Sequence, residues 1–319
     1  MGKIIAVCLS DKKGVPKKNV RKATLKENYG LIGDAHAGPG LRQVSLLAKE
    51  SLQKISKKGL KLGCGGFGEN LTTNGIELTS FVVGTKLKGG ESILKVTKIG
   101  KDCKKPCSIY KRLGNCILPS QGIFAKVLKG GIVAQNDSIE IVPSKKISAG
   151  ILTVSDKSAS GQRKDKSGKL IINALKIIDA EAIRYKVIPD ERELISATLR
   201  LWADEGILDL ILTSGGTGFS PRDVTPEATK EILEKEAPGL VEMMRARSAA
   251  KTELAYLSRG VSGIRRGTLI INLPGSPKGV EEYLEIISPI LGHAIEVMKG
   301  KVKDCHSTKN ASKYPQGSL

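Results

Sequence analysis

A glycine-rich segment in the C-terminal half of the chain could bind an anion. Residues 214–218 read SGGTG and follow a strand predicted at 208–213. Successive glycines let backbone N–H groups approach an anion closely, and the N-terminus of a following helix adds a favourable dipole. The segment lacks the ending of a P-loop and the spacing of a dinucleotide-binding fingerprint. Taken alone, such a segment is more commonly a tight turn.

Two aspartates near this segment could hold a metal ion. Asp190 follows a strand predicted at 183–188, and Asp223 follows the glycine-rich segment. Ligands of open α/β sheets collect at the carboxyl ends of the strands, and we expect the two carboxylates at adjacent strand ends there. Carboxylates beside an anion site are the groups that bind Mg²⁺ together with substrate phosphates. Each aspartate also has a structural interpretation, as a turn or cap residue.

Three of the six cysteines lie close together in the sequence, at Cys103, Cys107 and Cys116. Structural zinc usually takes four ligands in paired spacings, and the nearest candidates to complete such a set, His36 and Cys64, are far away in the sequence. Buried, inert cysteines are the commoner alternative. Cys107 differs because basic residues flank it at 104, 105, 111 and 112, and nearby cations lower the pKa of a thiol. This flank favours a sulfur-carrying or redox-active thiol.

The charge is concentrated in the first half of the chain. The net charge is +20, and residues 1–150 carry 27 basic and 10 acidic residues, against 25 and 22 in residues 151–319. Such a basic half could attract nucleic acid, hold a small polyanion such as a phosphorylated cofactor, or form a solvated surface. Aromatic residues make up 3% of the chain, which argues against binding of single strands by base stacking.

The sequence predicts a cytoplasmic protein that does not enter a membrane. No stretch approaches eighteen uncharged apolar residues, as a membrane-spanning helix requires. The first apolar run is too short for a signal peptide and has no small-residue cleavage site after it.

The elements that must position these residues differ between the two halves of the chain. Short β-type runs recur between glycine-rich turns, with one helix predicted at 48–57; the runs are 3–9, 43–47, 81–83, 93–99, 122–128 and 138–142. This spacing predicts a mostly-β barrel or sandwich over residues 1–145.

Strands and helices alternate in the second half. The strands are predicted at 151–154, 183–188, 208–213 and 268–273, and the helices at 167–178, 191–204, 225–235 and 280–298. Repeated βαβ units predict a three-layer α/β domain over residues 146–305, with a mainly parallel sheet and helices on both faces. Residues 306–319 are predicted to be a polar tail.

A long motif at residues 213–229 reads TSGGTGFSPRDVTPEAT, and four shorter blocks accompany it in the C-terminal half. These blocks are ILTVSD at 151–156, LSR at 257–259, GIR at 263–265 and LIINLPGS at 269–276. In sequence and in order, the motif and the blocks resemble the Mog/MoaB family of molybdopterin-binding and molybdopterin-adenylylating proteins. Together they cover about residues 148–300.

This resemblance implies transfer of AMP from Mg-ATP to the terminal phosphate of molybdopterin. The two essential aspartates of the family fall on Asp190 and Asp223, which would bind Mg²⁺ and position the reacting phosphates. The positions that would cradle the substrate are Thr213, Gly215, Gly216, Thr217 and Gly218. The remaining pocket positions are Ser155, Asp156, Ser258, Asn272, Pro274, Gly275 and Ser276. Members of the family typically form trimers.

Four short motifs follow one another in the N-terminal half: GDAHAG at 33–38, RQVSLL at 42–47, GENLT at 68–72 and CKKPC at 103–107. In this order they resemble the MOSC domain, a β-barrel found at the C-terminus of molybdenum-cofactor sulfurases. The resemblance implies binding of the molybdenum cofactor and a cysteine that carries sulfur, which falls on Cys107, with Cys103 as the alternative. His36 would line the pocket or be a structural histidine. Arg42 and Lys104 could contact the phosphate of the cofactor.

The two resemblances lead to one hypothesis, a bifunctional protein of molybdenum or tungsten cofactor biosynthesis. Molybdopterin, ATP and Mg²⁺ would be its ligands, and a sulfur donor and other cofactor-biosynthesis proteins its partners. The alternative is a carrier that binds the pterin in both domains without reacting. Nucleic-acid binding by the basic half is a third hypothesis, which the scarcity of aromatic residues and the two resemblances disfavour.

Overall fold

The chain folds into two compact units, Met1–Pro143 and Ser144–Leu319. The computed structural model describes residues 2–56, 63–100, 110, 116–142 and 146–302. The first unit is a β-barrel and the second an α/β domain, so the predicted two-domain architecture is confirmed. Within these ranges, no helix has both the length and the apolar character needed to cross a bilayer. The tail predicted at 306–319 lies outside the described residues.

Eleven strands are described in the barrel unit. They are β1 Gly2–Leu9, β2 Lys18–Asn19, β3 Lys22–Lys26, β4 Gly30–Leu31, β5 Val44–Ala48, β6 Leu71–Asn74, β7 Lys86–Gly89, β8 Ser92–Ile99, β9 Ile123–Lys129, β10 Gly131–Ala134 and β11 Ser138–Ile141. Helices α1 (Lys49–Ser56) and α2 (Leu118–Gln121) and a 3₁₀ turn at Leu78–Ser80 accompany them.

The main sheet of this unit closes on itself. Its strand order is β11-β7-β8-β9-β5-β6-β1, pairing of β1 with β11 completes the barrel, and β2 is attached to the edge of β1. Strands β10, β3 and β4 form a small separate sheet. In β7 the exposed Lys86 and Lys88 alternate with the buried Leu87 and Gly89, as expected when one face of a strand lines a barrel interior.

Strand β5 is buried along its whole length because both of its faces are covered. Leu47 packs with Leu52 of α1, Phe67, and the residues Ile117 and Leu118 at the start of α2. Since side chains alternate along a strand, its neighbours in the strand point to the opposite face, toward the barrel interior. This explains why all five residues of the strand are buried in place of an alternation of buried and exposed positions.

The prediction of a strand at 81–83 is wrong. Phe81 is buried, but it follows the 3₁₀ turn and makes only an isolated bridge before the chain turns again. The strand of this region is β7, whose sequence, KLKG, contains a single large apolar residue. A run of three apolar residues is too short for its periodicity to separate a strand from a buried turn.

The α/β unit contains six strands. They are β12 Ile147–Val154, β13 Ala180–Ile188, β14 Leu210–Ser214, β15 Lys235–Glu236, β16 Ser262–Arg265 and β17 Thr268–Leu273. Its helices are α3 Asp156–Ala159, α4 Ser167–Ala174, α5 Arg192–Asp204, α6 Thr225–Lys230, α7 Gly239–Ala249 and α8 Pro277–Met298, with 3₁₀ turns at Leu175–Ile178 and Glu253–Leu257. The helix predicted at 225–235 thus ends early, because the chain continues into β15, which pairs with β16.

The sheet of this unit has the order β13-β12-β14-β17-β16-β15. The pairs β12–β13, β12–β14 and β14–β17 are parallel, while β16 runs antiparallel to both of its neighbours. From β12 the chain first adds β13 on one side and then β14 on the other. This reversal is a topological switch point, the position where open α/β sheets bind their ligands.

A close contact between helix and sheet supports the middle of this sheet. Trp202 of α5 is fully buried, and its ring lies against Gly150 of β12, where a Cβ would lie 3.0 Å from a ring carbon. The glycine lets the indole approach the strand backbone. The carboxyl ends of β12, β13 and β14 are thereby held as one edge, which carries the residues described next.

Candidate active site at the carboxyl edge of the sheet

Asp156 and Asp190 are joined by reciprocal hydrogen bonds at the ends of β12 and β13. The backbone N–H of Asp156 donates to Asp190 Oδ2 at 2.9 Å, and the backbone N–H of Asp190 donates to Asp156 Oδ1 at 3.0 Å. Asp223 follows β14, so Asp190 and Asp223 do not follow adjacent strands as predicted, because β12 runs between β13 and β14. Asp156 fills the intervening position and orients the Asp190 carboxylate.

The glycine-rich segment can pass this edge only because it lacks side chains at two positions. Gly215 has a φ of +104°, and a Cβ there would overlap the carbonyl oxygen of Val154 at the end of β12. Gly216 has a φ of +65°, and its Cβ would overlap Thr225 Oγ1 and lie 3.0 Å from Asp190 Oδ1. The backbone at Gly216 is therefore directly beside the Asp190 carboxylate.

Three consecutive backbone donors of this segment are unused. Within the described part of the chain, the N–H groups of Gly216, Thr217 and Gly218 have no acceptor, whereas that of Gly215 donates to the Leu273 carbonyl at 3.2 Å. Successive free N–H groups in a turn form a concave site of positive potential that suits a phosphate. The structure thus supports the anion-binding interpretation over the simple tight turn.

The charged groups at this edge shift the pKa values of Asp156 and Asp190. Burial, together with the nearby charges of Asp156 and Asp223, raises the pKa of Asp190 above its usual value. The Arg222 guanidinium donates to both oxygens of Asp156, at 2.9 and 3.2 Å, and this contact lowers the pKa of Asp156. Asp156 is paired with Arg222, whereas Asp190 and Asp223 form no ion pair within the described part of the chain, so a cation could bind to these two carboxylates.

The donor set fits Mg²⁺ bound together with phosphates. Asp190 Oδ2 and Asp223 Oδ2 accept backbone N–H groups, the latter from Ser220 at 2.9 Å, which leaves the other oxygen of each carboxylate available. Among the described residues, no three acidic, histidine or cysteine side chains converge into a complete metal cage. Mg²⁺ is commonly bound by one or two carboxylates, with waters and substrate phosphates as the remaining ligands.

Arg259 is a site residue that the sequence interpretation missed. Its Nε donates to the Gly218 carbonyl at 2.7 Å, its Nη2 to the Asp223 carbonyl at 2.5 Å, and its Nη1 forms an ion pair with Glu227. Its own N–H donates to the Thr217 carbonyl at 2.9 Å. The side chain thus fixes both ends of the segment 218–223. The only signal in the sequence is its place in the LSR block.

Thr213 and Asn272, both predicted to contact substrate, lie beneath the site rather than in it. Both are buried, and Asn272 Nδ2 donates to Thr213 Oγ1 and to Thr229 Oγ1, each at 3.0 Å. Asn272 Oδ1 accepts the backbone N–H of Val261 at 3.1 Å. These contacts join β14, β17 and α6 under the glycine-rich segment, so the two side chains support its base.

Two of the predicted pocket serines cap helices. Ser155 begins α3 and accepts a backbone N–H three residues later at 3.3 Å, and Ser276 does the same for α8 at 3.1 Å. A serine cap satisfies a helix N–H that would otherwise lack a partner. Both serines lie on loops at the carboxyl edge of the sheet, where α3 and α8 begin.

Pro274, Gly275 and Ser258 contribute backbone contacts to this edge. The Pro274 carbonyl accepts a hydroxyl from β14 at 3.0 Å, and the Ser258 carbonyl accepts from Arg245 at 3.3 Å. A Cβ on Gly275 would lie 3.3 Å from the Cα of Gly215. The loop after β17 therefore packs against the glycine-rich segment, and nothing larger than glycine fits between them without displacement.

In the barrel, a buried ion pair orders the segment that contains His36. Lys17 Nζ donates to both oxygens of Asp34 at 2.8 Å, and each of these side chains is 1% exposed. Asp34 also accepts the backbone N–H groups of Ser10 at 3.1 Å and of His36 at 3.0 Å. His36 Nδ1 lies 3.5 Å from Asp34 Oδ1, and the ring is partly exposed. The histidine is thus both held by Asp34 and open to solvent.

The other predicted barrel residues are only partly described. The Arg42 guanidinium lies 6.0 Å from the centroid of the Phe124 ring, within the range of a cation–π contact. Cys103, Lys104 and Cys107 lie outside the described residues. Cys116 packs against the apolar cluster around Leu47 and α1, which suits the interpretation of this cysteine as a small buried hydrophobe.

Replacing Asp34 with Asn is expected to destabilise the barrel by about 3 kcal/mol or more, because the Lys17 ammonium would remain buried without a counter-charge. Glu50→Gln, the same chemical change at an exposed barrel carboxylate, should cost less than about 1 kcal/mol. Urea unfolding followed by circular dichroism measures both. Equal effects of the two changes would show that the buried pair does not stabilise the barrel.

The loss of folding stability caused by Asp34→Asn should depend on pH. Burial alone would raise the pKa of the Asp34 carboxyl, but hydrogen bonds from His36 and Lys17 hold it well below its usual range. A depressed pKa stabilises the fold above the ordinary carboxyl value of about 4, and this contribution is lost as the pH falls toward the folded-state pKa. Wild type and variant should therefore converge in stability in acid and diverge at neutral pH.

Two family models match the chain, one in each unit. Residues 150–293 match the model described as "Probable molybdopterin binding domain", and residues 33–140 match the MOSC domain. Both resemblances drawn from the sequence motifs are thereby confirmed. The first match contains Asp156, Asp190, Asp223 and Arg259, and the second contains Asp34 and His36.

Several curated proteins are similar to the α/β unit. A molybdopterin adenylyltransferase of Helicobacter pylori strain J99 is 41% identical over 156 residues, which cover 48% of this chain and 89% of that protein. The molybdenum cofactor synthesis protein cinnamon of Drosophila melanogaster is 44% identical over 153 residues, 48% of this chain but 26% of that protein. The molybdopterin biosynthesis enzyme MoaB of Thermus thermophilus, a solved structure, is 52% identical and matches 50% of this chain and 99% of its own, with a TM-score of 0.47.

A switch-point α/β sheet with carboxylates and free N–H groups at its carboxyl edge, together with these matches, defines the class of protein. Through this unit the chain belongs to the molybdopterin-binding family. Its curated relatives in Helicobacter pylori, Haemophilus influenzae and Escherichia coli are named molybdopterin adenylyltransferases, at 38–41% identity over about half of this chain.

Proposed function

We propose that the α/β unit transfers AMP from ATP to the terminal phosphate of molybdopterin and releases pyrophosphate. The names of the relatives support this reaction class. The observation that carries it is the row of three free N–H groups at Gly216, Thr217 and Gly218, placed between the carboxylates of Asp190 and Asp223. Such a site combines an anion cradle with ligands for a divalent cation.

The reaction needs positioning more than covalent catalysis. An oxygen of the pterin phosphate attacks the α-phosphorus of ATP, a P–O bond forms there, and the bond to the bridging oxygen of the β-phosphate breaks. Pyrophosphate leaves with that electron pair, so the atoms balance without a further reactant. Bound Mg²⁺ would neutralise charge on the phosphates, as in other phosphoryl-transfer sites.

The residues of this chain would act by binding and orientation. The free N–H groups of the glycine-rich segment would hold a phosphate oxygen, and Asp190 and Asp223 would hold Mg²⁺ against it. Asp156 would keep the Asp190 carboxylate in place through their reciprocal hydrogen bonds. Helix N-termini capped by Ser155 and Ser276 add favourable dipoles at the same edge.

Replacing Arg259 with Gln is expected to lower kcat/KM for pyrophosphate release about tenfold to a hundredfold. The hydrogen bonds that a guanidinium makes to the backbone at 218 and 223 are worth about 1.5–3 kcal/mol each, and without them the segment loses its fixed shape. Arg247→Gln removes the same charge from an exposed site on α7 and should leave the rate within about twofold. Equal rates for the two variants would contradict a positioning role of Arg259.

The barrel is proposed to bind the same pterin or the mature cofactor, with the partly exposed His36 at its pocket. Sulfur transfer through Cys107, with Cys103 as the alternative, stays a prediction from the sequence. Exposure to a persulfide donor, followed by mass spectrometry of wild type and Cys107→Ser, tests it. Loss of the added sulfur in Cys107→Ser but not in Cys103→Ser would identify the carrier.

The remaining features of the proposal follow the sequence expectations. They are a three-layer α/β scaffold, a trimer, a cytoplasmic location, and transient contacts with a sulfur donor and other cofactor-biosynthesis proteins. The second candidate function is a pterin carrier without turnover, which the free oxygens of both carboxylates disfavour. Mg-ATP-dependent pyrophosphate release with molybdopterin separates the two. Pterin binding by the folded wild type without pyrophosphate release would favour the carrier.

A further inference from the structure

An open depression lies beside Asp223, and the phosphate chemistry does not account for its lining. It has a volume of about 440 Å³ and is lined by Phe219, Ser220, Pro221, Asp223 and Arg259. One wall is apolar, formed by the phenyl and proline rings, and the Arg259 guanidinium is held by the loop. This composition suits a flat ring system better than a second phosphate.

Phe219 is the residue of this lining whose side chain is not packed in the core. The chain has four phenylalanines, all within the described ranges, and the other three are buried at 1–7% exposure. Phe219 is 67% exposed, although burial of such a side chain is worth about 1.5–3 kcal/mol. An aromatic ring left in water at the mouth of a candidate active site has a surface available for a ligand.

The loop that carries the ring is held rigidly. Arg259 binds the carbonyls of Gly218 and Asp223 at its two ends, and the Asp223 carboxylate accepts the N–H of Ser220 within it. Pro221 fixes a backbone φ near the tip. A ring presented on a pre-formed loop binds its ligand without the cost of ordering the loop first.

We propose that Phe219 is the stacking face for the adenine ring of ATP. The inference rests on the proposed adenylyl transfer and names the residue that selects the nucleotide base. Asp223 ties the depression to the site of the phosphates, so a nucleotide can place its phosphates there and its base on Phe219. Stacking is the contact that the apolar wall of the depression offers. Ser220, Asp223 and Arg259 complete the lining with polar groups, and binding of AMP compared with binding of molybdopterin distinguishes adenine from the pterin ring.

Direct binding of AMP and of ribose 5-phosphate, each with Mg²⁺, tests the proposal by calorimetry. The two probes share sugar and phosphate and differ only in the base. Phe219→Ala should weaken AMP about tenfold and leave ribose 5-phosphate unchanged, whereas Phe219→Tyr should keep the affinity for AMP. Ile177→Ala, which truncates another exposed apolar side chain of the same unit, should change neither.

Three outcomes would overturn the proposal. They are unchanged AMP affinity in Phe219→Ala, equal weakening of both probes, and weakened molybdopterin binding with AMP unaffected, which would assign the ring to the pterin. In the turnover assay, Phe219→Ala should raise KM for ATP more than it lowers kcat. A wild type that binds AMP through Phe219 but releases no pyrophosphate would refute the adenylyl transfer while leaving the stacking site intact, so the two failures are distinguishable.

Discussion

Asp223→Asn is expected to lower kcat for Mg-ATP-dependent pyrophosphate release at least about a hundredfold while the protein stays folded. Asparagine keeps the shape of the side chain and an oxygen that can accept the Ser220 N–H, so the loop retains its hydrogen bond. What is lost is the negative charge that, with Asp190, would hold Mg²⁺ beside the free N–H groups of the glycine-rich segment. Because only the charge changes, a loss of rate reports on chemistry.

The matched control for this prediction is Asp204→Asn. It makes the same isosteric change in the same unit, at an aspartate that pairs with Arg265 at 2.8 Å and lies at the end of α5. Its rate should stay within about twofold of wild type, since a surface pair is worth about 1 kcal/mol or less. The apparent Mg²⁺ requirement should rise in Asp223→Asn alone. Full activity of Asp223→Asn at wild-type Mg²⁺ concentrations would remove Asp223 from the site.

Gly215→Ala is expected to destabilise the α/β unit by about 3 kcal/mol and to abolish turnover. The substitution costs about 1 kcal/mol from the positive φ and more from overlap with the Val154 carbonyl, which is backbone and cannot rotate away. Relief of the overlap would move the free N–H groups away from Asp190. The only tryptophan, Trp202, is buried in this unit, so its fluorescence during urea unfolding reports the stability of this unit specifically.

Gly206→Ala separates the cost of the positive φ from the cost of the overlap with the Val154 carbonyl. Gly206 also has a positive φ, +66°, but no atom lies within 4 Å of a Cβ built there. It should therefore cost only about 1 kcal/mol and leave pyrophosphate release intact. If Gly206→Ala and Gly215→Ala were equally destabilising, backbone strain alone would explain the effect, and the close approach to Val154 would have no energetic role.

The elements that the sequence predicted well are those whose burial pattern is local. The strands predicted at 183–188 and 208–213 fall within or largely overlap β13 and β14. Strand β14 is buried along its whole length, and Ile183 and Ile188 are buried in β13, so apolar residues mark both segments locally. Helix α7 was not predicted: among its large apolar residues only Val241 and Met244 are buried, which is too short a stripe to stand out in a periodicity. Strand β7 was missed for the same reason, since Leu87 is its only large apolar residue.

The sequence predicted which types of residue form the candidate site, but not which of these residues contact one another. Asp190 and Asp223 were proposed from their positions after strands, yet the hydrogen bonds between Asp156 and Asp190 depend on β12 lying beside β13 in the sheet. Arg259 was missed because its partners at 218, 223 and 227 are 32 to 41 residues away in the chain. No local pattern encodes a contact of that separation.

The sequence by itself determined the two architectures, the positions of the glycines and carboxylates, and both family resemblances. These features depend on neighbouring residues in the chain. They are the alternation of polar and apolar residues, stretches of apolar residues, and the glycines that particular backbone conformations require. Only the tertiary structure decided which side chains meet. It buried Thr213 and Asn272 under the site and left Phe219 exposed at its mouth. The reason is that burial and hydrogen-bond partners are set by the order of strands in the sheet, and this order depends on the packing of the whole unit.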